Sequence, residues 1–201
     1  MQARHLRPLA AALAAATLAL PGLAAAQGSP WMLGVRALGI HPDDSSSIPG
    51  VGVKEQWTGE ANFTYFFNKN VATELILAWA KHEVQLNGAD LGKVGVLPPT
   101  VTLQYHFTDL GAFRPYVGAG LNYTYFYERD LANDTLEIGK DSFGGALQVG
   151  MDYMLDRNWS VNVDVKYLWM DTDVRVKATG NTLGGVDIDP WLLGIGLRYR
   201  F

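Results

Sequence analysis

The stretch Asp189-Pro-Trp-Leu-Leu-Gly-Ile-Gly-Leu-Arg-Tyr-Arg-Phe201 alternates with a period of two, and no other feature constrains the fold as much. Trp191, Leu193, Ile195, Leu197, Tyr199 and Phe201 fall on one face, and Leu192, Gly194, Gly196, Arg198 and Arg200 on the other. A strand sends successive side chains to opposite faces of a sheet. One face here is therefore apolar with aromatics at both ends, and the other is small or cationic. About 9–11 residues is the length a tilted strand needs to cross a bilayer. Aromatic–aliphatic–aromatic banding is what such a strand shows where it meets two lipid–water interfaces. Taken alone, the stretch also fits an edge strand of a soluble sandwich, with both arginines in water.

The banding recurs along the chain. Trp31 to Ile40 sets Trp31, Leu33, Val35 and Ala37 against Met32, Gly34, Arg36, Leu38 and Ile40. Gln56 to Phe67, Val71 to about Glu83, Thr100 to Phe107, Arg114 to Glu128, Gly144 to Tyr153 and Trp159 to Met170 alternate in the same way. Pro98-Pro99 reads as the start of the fourth strand, where a closed sheet tolerates proline. Asn68-Lys69-Asn70, Thr108 to Phe113 and Asp156-Arg157-Asn158 read as short turns. His41 to Lys54, Asn87 to Gly95, Arg129 to Asp141 and Asp171 to Asp187 read as longer polar loops. Short and long connections in strict alternation predict an all-β chain: an eight-stranded antiparallel transmembrane β-barrel with short periplasmic turns and longer extracellular loops. A lipocalin-like soluble barrel also has eight strands, but its apolar face would line a cavity and its outside would be charged.

Residues 1–26 stand apart from this pattern. Arg4 and Arg7 precede an apolar run from Leu9 to Leu20, and Ala24-Ala25-Ala26 offers a small-residue cleavage site. They predict a cleaved secretory signal, leaving 27–201 as the barrel domain. The leader holds two of the 16 basic residues and none of the 20 acidic ones, so the mature charge is 14 − 20 = −6. Such a surface does not attract nucleic acid. With no cysteine, neither disulfides nor thiolate metal sites are available. No cofactor and no metal are expected.

The segments Gly95-Val-Leu-Pro-Pro-Thr-Val-Thr-Leu-Gln-Tyr-His-Phe107 and Phe113-Arg-Pro-Tyr-Val-Gly-Ala-Gly-Leu-Asn-Tyr123 resemble the signature segments of the outer-membrane protein W family. Trp31 to Ile40, Glu60-Ala-Asn-Phe-Thr-Tyr-Phe-Phe67 and Arg198-Tyr-Arg-Phe201 resemble it too, so the likeness spans the mature chain. The resemblance implies an eight-stranded barrel in the outer membrane of a Gram-negative bacterium, surrounded by its lipids. It also implies passage of small hydrophobic molecules, with alkane uptake in some relatives. The terminal Phe201 resembles the signal read by the barrel-assembly machinery.

The inward-facing sets divide into layers. Glu60, Glu74, Asp152 and Asp164 balance Arg36, Lys166, Arg198 and Arg200 in number. An eight-stranded interior is about wide enough to be filled by side chains, and buried charges must be paired. These eight are therefore expected to form a salt-bridged lumen plug. Towards the loop rim Leu38, Ile40, Phe126, Leu168, Met170 and Leu192 form an apolar collar. The collar reads either as a funnel that admits a hydrophobic solute, with exit sideways between strands, or as plain core filled by the loops. Two other classes of function are open, and nothing in the sequence separates the first of them from transport. The acidic loops could serve adhesion or phage and bacteriocin attachment. A lipid A-modifying enzyme would need a histidine with a nearby serine and acid. His41 lies near Asp43, Asp44 and Ser45 to Ser47, but His82 and Glu83 point to opposite faces, and His106 belongs to the other end of the barrel. Neither Gly-x-Ser-x-Gly nor His-Glu-x-x-His occurs, so no enzyme is expected.

Overall fold

A computed structural model of the chain describes residues 29–41, 45–46, 51–53, 56–86, 89–132 and 135–201. The leader expected over 1–26 lies outside them. Eight strands make the barrel: β1 (Trp31–His41), β2 (Gln56–Phe66), β3 (Val71–Ala78), β4 (Thr100–His106), β5 (Phe113–Tyr127), β6 (Asp141–Met154), β7 (Trp159–Leu168) and β8 (Trp191–Arg200). Each pairs antiparallel with its chain neighbours, and β8 closes on β1 from Met32↔Arg200 to His41↔Trp191. Closure leaves no strand edge, which is what a sheet needs in a solvent that cannot hydrogen-bond.

The alternation decides which face meets what. Val35, Val149, Leu103 and Ile195 point outward and are more than half exposed, whereas Arg198, Asp164, Glu74 and Asn162 between them are fully buried. Aromatic pairs sit across neighbouring strands at the turn rim: Trp31 with Tyr65 (ring centroids 4.9 Å apart), Phe113 with Tyr153 (5.0 Å) and Trp159 with Tyr199 (4.9 Å). At the loop rim Tyr167 meets Trp191 across β7 and β8 and Trp169 along its own segment. Two aromatic girdles around an aliphatic band give the outside the profile of a membrane wall. In the short turns, Asn68 and Asp156 each accept two backbone N–H bonds through their side chains, which closes the reversals locally.

The loop rim differs from the expectation in four places. Asn87 to Gly95 and Asp171 to Asp187 are not simply loops. Ala80–Leu86 pairs with Ala89–Leu97, and Asp171–Val176 with Thr182–Asp187, so hairpins extend the wall. Their inward positions, Val94, Val96, Val174 and Val186, are buried, which gives these hairpins an apolar side to pack on the barrel. Part of the third loop is also strand, with Leu136–Ile138 pairing to Asp171–Val176. Finally, Pro98-Pro99 does not begin a strand but interrupts one, between Leu97 and Thr100.

Candidate functional site

Within the lumen, seven of the eight expected plug residues form one network. Arg36, from the middle of β1, donates to Glu60 on β2, to Glu74 Oε1 on β3 at 2.9 Å and to Asn162 Oδ1 on β7 at 2.6 Å. Arg198 donates to the same Glu74 oxygen at 2.5 Å, to Thr64 at 2.7 Å and to Asp152 Oδ2 at 3.1 Å. Lys166 pairs with Asp164 and lies 2.9 Å from Glu60 Oε2. The second Glu74 oxygen accepts from Gln104 at 2.5 Å and Gln148 at 2.9 Å. In a medium that screens poorly, charges held this way resist separation, and the lumen is filled rather than open.

Two features differ from the sequence expectation. Arg200 is not part of the plug. It lies at the turn rim, half-buried, with its guanidinium 4.2 Å from the Phe66 ring and its Nε 3.4 Å from the Ser29 carbonyl. It sits two residues beyond Arg198, about 7 Å along the strand, which is enough to leave the acidic layer. Four carboxylates therefore face three cations in the network. The other feature is Tyr116, a fully buried hub: it donates to Asp164 Oδ2 at 3.0 Å and accepts from Asn162 at 3.2 Å and Arg36 at 3.4 Å. Tyr116 stacks on His106, with ring centroids 4.7 Å apart, and so fixes the bottom of the network. Its alternation placed it inward, but counting ionised groups gave it no role.

Above the network, all six collar residues are buried in one apolar cluster; Leu38, Phe126 and Leu168 are each 1% exposed. The cluster includes Leu131, Ile138, Val174 and Val186 from the loop-rim segments, so the collar is covered from above. On one side its wall is thin. Pairing of β3 with β4 ends at Ile76↔Thr100 and resumes as Ala80↔Val96 in the adjoining hairpin. Between these points Leu77, Ala78 and Trp79 run beside Leu97, Pro98 and Pro99 with no registered pair, because proline has no N–H to give. The same register on both sides sets Ala78 opposite Pro98. The proline carbonyls are engaged on the other flank: Pro99 accepts from the Tyr123 N–H at 3.0 Å, and both accept weakly from Asn122 at 3.4 Å. Ala78 and Ala80, with Val96 opposite Ala80, line the inside of this seam at the level of the collar.

Of the histidines considered for catalysis, His41 ends β1 at the loop rim while His106 is buried at the opposite end, bonded to Gln104 at 2.9 Å. Asp43, Asp44, Ser47 and the His82 side chain lie outside the described residues.

The model of the OmpW family matches residues 36–201. An uncharacterized outer-membrane protein, y4mB of Sinorhizobium fredii, is 44% identical over 205 residues, covering 94% of this chain and 90% of its own. Outer membrane protein W of Escherichia coli is 34% identical over 206 residues, covering 95% and 97%. Among solved structures, the outer membrane protein OprG of Pseudomonas aeruginosa superposes with a TM-score of 0.75 at 30% identity, covering 87% of this chain and 97% of that one.

Proposed function

The chain belongs to the OmpW family, an eight-stranded barrel of the outer membrane, and on that premise we propose that it passes small hydrophobic molecules inward through the collar, with exit sideways into the membrane. The seam beside Pro98-Pro99 is the observation that carries the reading. A solute held in the collar meets a filled, charged network below, whose disruption would uncover paired charges. Beside it, the wall between Ala78 and Pro98 can part without breaking a ladder hydrogen bond. The lateral path is the cheaper one. Entry from outside then requires Leu131, Ile138, Val174 and Val186 to swing off the collar, so these side chains act as its lid.

The reading assigns no catalytic role, consistent with His41 and His106 lying at opposite ends. It includes removal of the leader at 1–26 and recognition of Phe201 by the assembly machinery; Phe201 is exposed at the rim, its ring 5.1 Å from that of Tyr199.

Planar-bilayer conductance combined with binding of an alkane-like fluorescent probe tests the proposal. Negligible conductance with saturable probe binding is expected, and Leu168→Lys or Phe126→Lys should abolish probe binding in a barrel that still folds. Large ohmic conductance, or probe binding unchanged in both variants, would refute it.

A further inference from the structure

The two lips of the seam are tied by side chains to the strands behind them. On the proline lip the bonds run in one direction. The Thr124 hydroxyl donates to Asn122 Oδ1 at 2.7 Å, the Asn122 amide donates to Thr100 Oγ1 at 2.9 Å, and the Thr100 hydroxyl donates to the Pro98 carbonyl at 3.1 Å. Thr100, Asn122 and Thr124 are all buried. On the other lip, registered pairing of β2 with β3 ends at Glu60↔Ala78. One residue further on, the Thr58 hydroxyl of β2 donates to the Trp79 carbonyl. Neither tie crosses from one lip to the other.

Hydrocarbon offers no hydrogen-bond donor, so a backbone carbonyl laid bare to lipid is costly. A ladder that stopped at two prolines with nothing else to hold it would bare such carbonyls as its strands part. Here the donors move with the lips. Thr58 stays with Trp79, and the relay from Thr124 stays with Pro98, whether the gap is narrow or wide. We propose that Thr58 on one lip, and Asn122 acting through Thr100 on the other, are positioning residues for lateral passage. They keep the Trp79 and Pro98 carbonyls bonded while the gap widens, so that opening exposes apolar surface and no bare carbonyl. The role rests on the lateral route proposed above and names the groups that lower its barrier.

Initial rates of uptake of an alkane-like fluorescent probe into vesicles carrying the full-length barrel, taken over a range of probe concentrations, separate passage from binding in the collar. Thr58→Val keeps the shape of the side chain and removes its hydroxyl, and Asn122→Leu does the same for the amide. Each leaves a carbonyl short of a donor when the lips part. Each should lower the maximal rate at least fivefold, while the half-saturating concentration and the far-UV circular dichroism remain those of wild type. Thr58→Ser returns the hydroxyl and should restore the rate. Should Asn122→Leu fail to fold, Thr100→Val breaks the same relay one step nearer Pro98 and must slow the maximal rate in its place. A disulfide between Ala78→Cys and Pro98→Cys separates this role from the route beneath it. If the disulfide slows uptake but neither Thr58→Val nor the relay variant does, the ties play no part in opening and the proposal is overturned. Equal losses in Thr58→Val and Thr58→Ser, or a raised half-saturating concentration at an unchanged maximal rate, would overturn it too. Uptake indifferent to the disulfide would reject the lateral route itself, and this role with it.

Discussion

Replacing Arg198 with Met tests how tightly the lumen is held. The side chain is fully buried and links two acids, Glu74 at 2.5 Å and Asp152 at 3.1 Å. Glu74 would keep Arg36, Gln104 and Gln148. Asp152 would keep the Asn162 amide but lose its ion-pair partner among the described residues. Removing one partner of a buried pair in this way costs about 3–5 kcal/mol. With a urea dependence of about 2 kcal/mol per M, the unfolding midpoint should fall by about 2 M. Urea unfolding in lipid vesicles, followed by tryptophan fluorescence, reads this well, because all six tryptophans face outward and none touches the network. Adding Asp152→Asn should recover part of the loss, with a coupling of about 1–3 kcal/mol between the two sites. A midpoint unchanged in Arg198→Met would refute the reasoning, since the network could not then be a dry, paired plug.

Two further outcomes follow from other parts of the barrel. A Cβ at Gly196 would lie 1.9 Å from the Val35 carbonyl oxygen and one at Gly120 1.9 Å from that of Val101, whereas Gly185 opens on free space. Gly196→Ala and Gly120→Ala should cost about 3 kcal/mol or prevent folding into vesicles, and Gly185→Ala should stay within about 0.5 kcal/mol of wild type. In the turn after β6, the N–H groups of Trp159 and Asn158 hold the Asp156 carboxyl below the usual carboxylate range. A depressed folded-state value gives stability that is present above the unfolded value and lost as the pH falls through the folded one. Asp156→Ala should therefore be less stable than wild type near neutrality, and that difference should close below about pH 4.

The sequence made the wall legible because lipid imposes one rule on every strand: an apolar residue at each second position. Val35, Leu103 and Ile195 obey it and Arg36, Gln104 and Gly196 oppose them, so strand number, facing and closure could be read directly. Above the membrane that rule lapses. In Asp171–Val176 the outward residues are Asp171, Asp173 and Arg175, and in Ala89–Leu97 Lys93 and Gly95 break the apolar rule before Leu97; Val94, Val96 and Val174 mark the buried side, too short a signal to read against a loop. Alternation gives the facing of a side chain but not its depth. Arg198 and Arg200 share a face, yet one is in the plug and the other at the mouth. Nor does it give partners across the lumen, such as Arg36 with Glu74 or Tyr116 with Asp164, because these depend on the tilt and stagger of the closed sheet. The seam was written in Pro98-Pro99, but its meaning required the register on both flanks.

The most direct test of lateral exit joins the two sides of that seam. The chain has no cysteine, so Ala78→Cys with Pro98→Cys introduces the only thiols and allows one disulfide across the gap. Uptake of an alkane-like probe into vesicles carrying this variant should be at least tenfold slower when oxidised than after reduction, with conductance negligible in both states. Equal uptake in the oxidised and reduced states would contradict a lateral route.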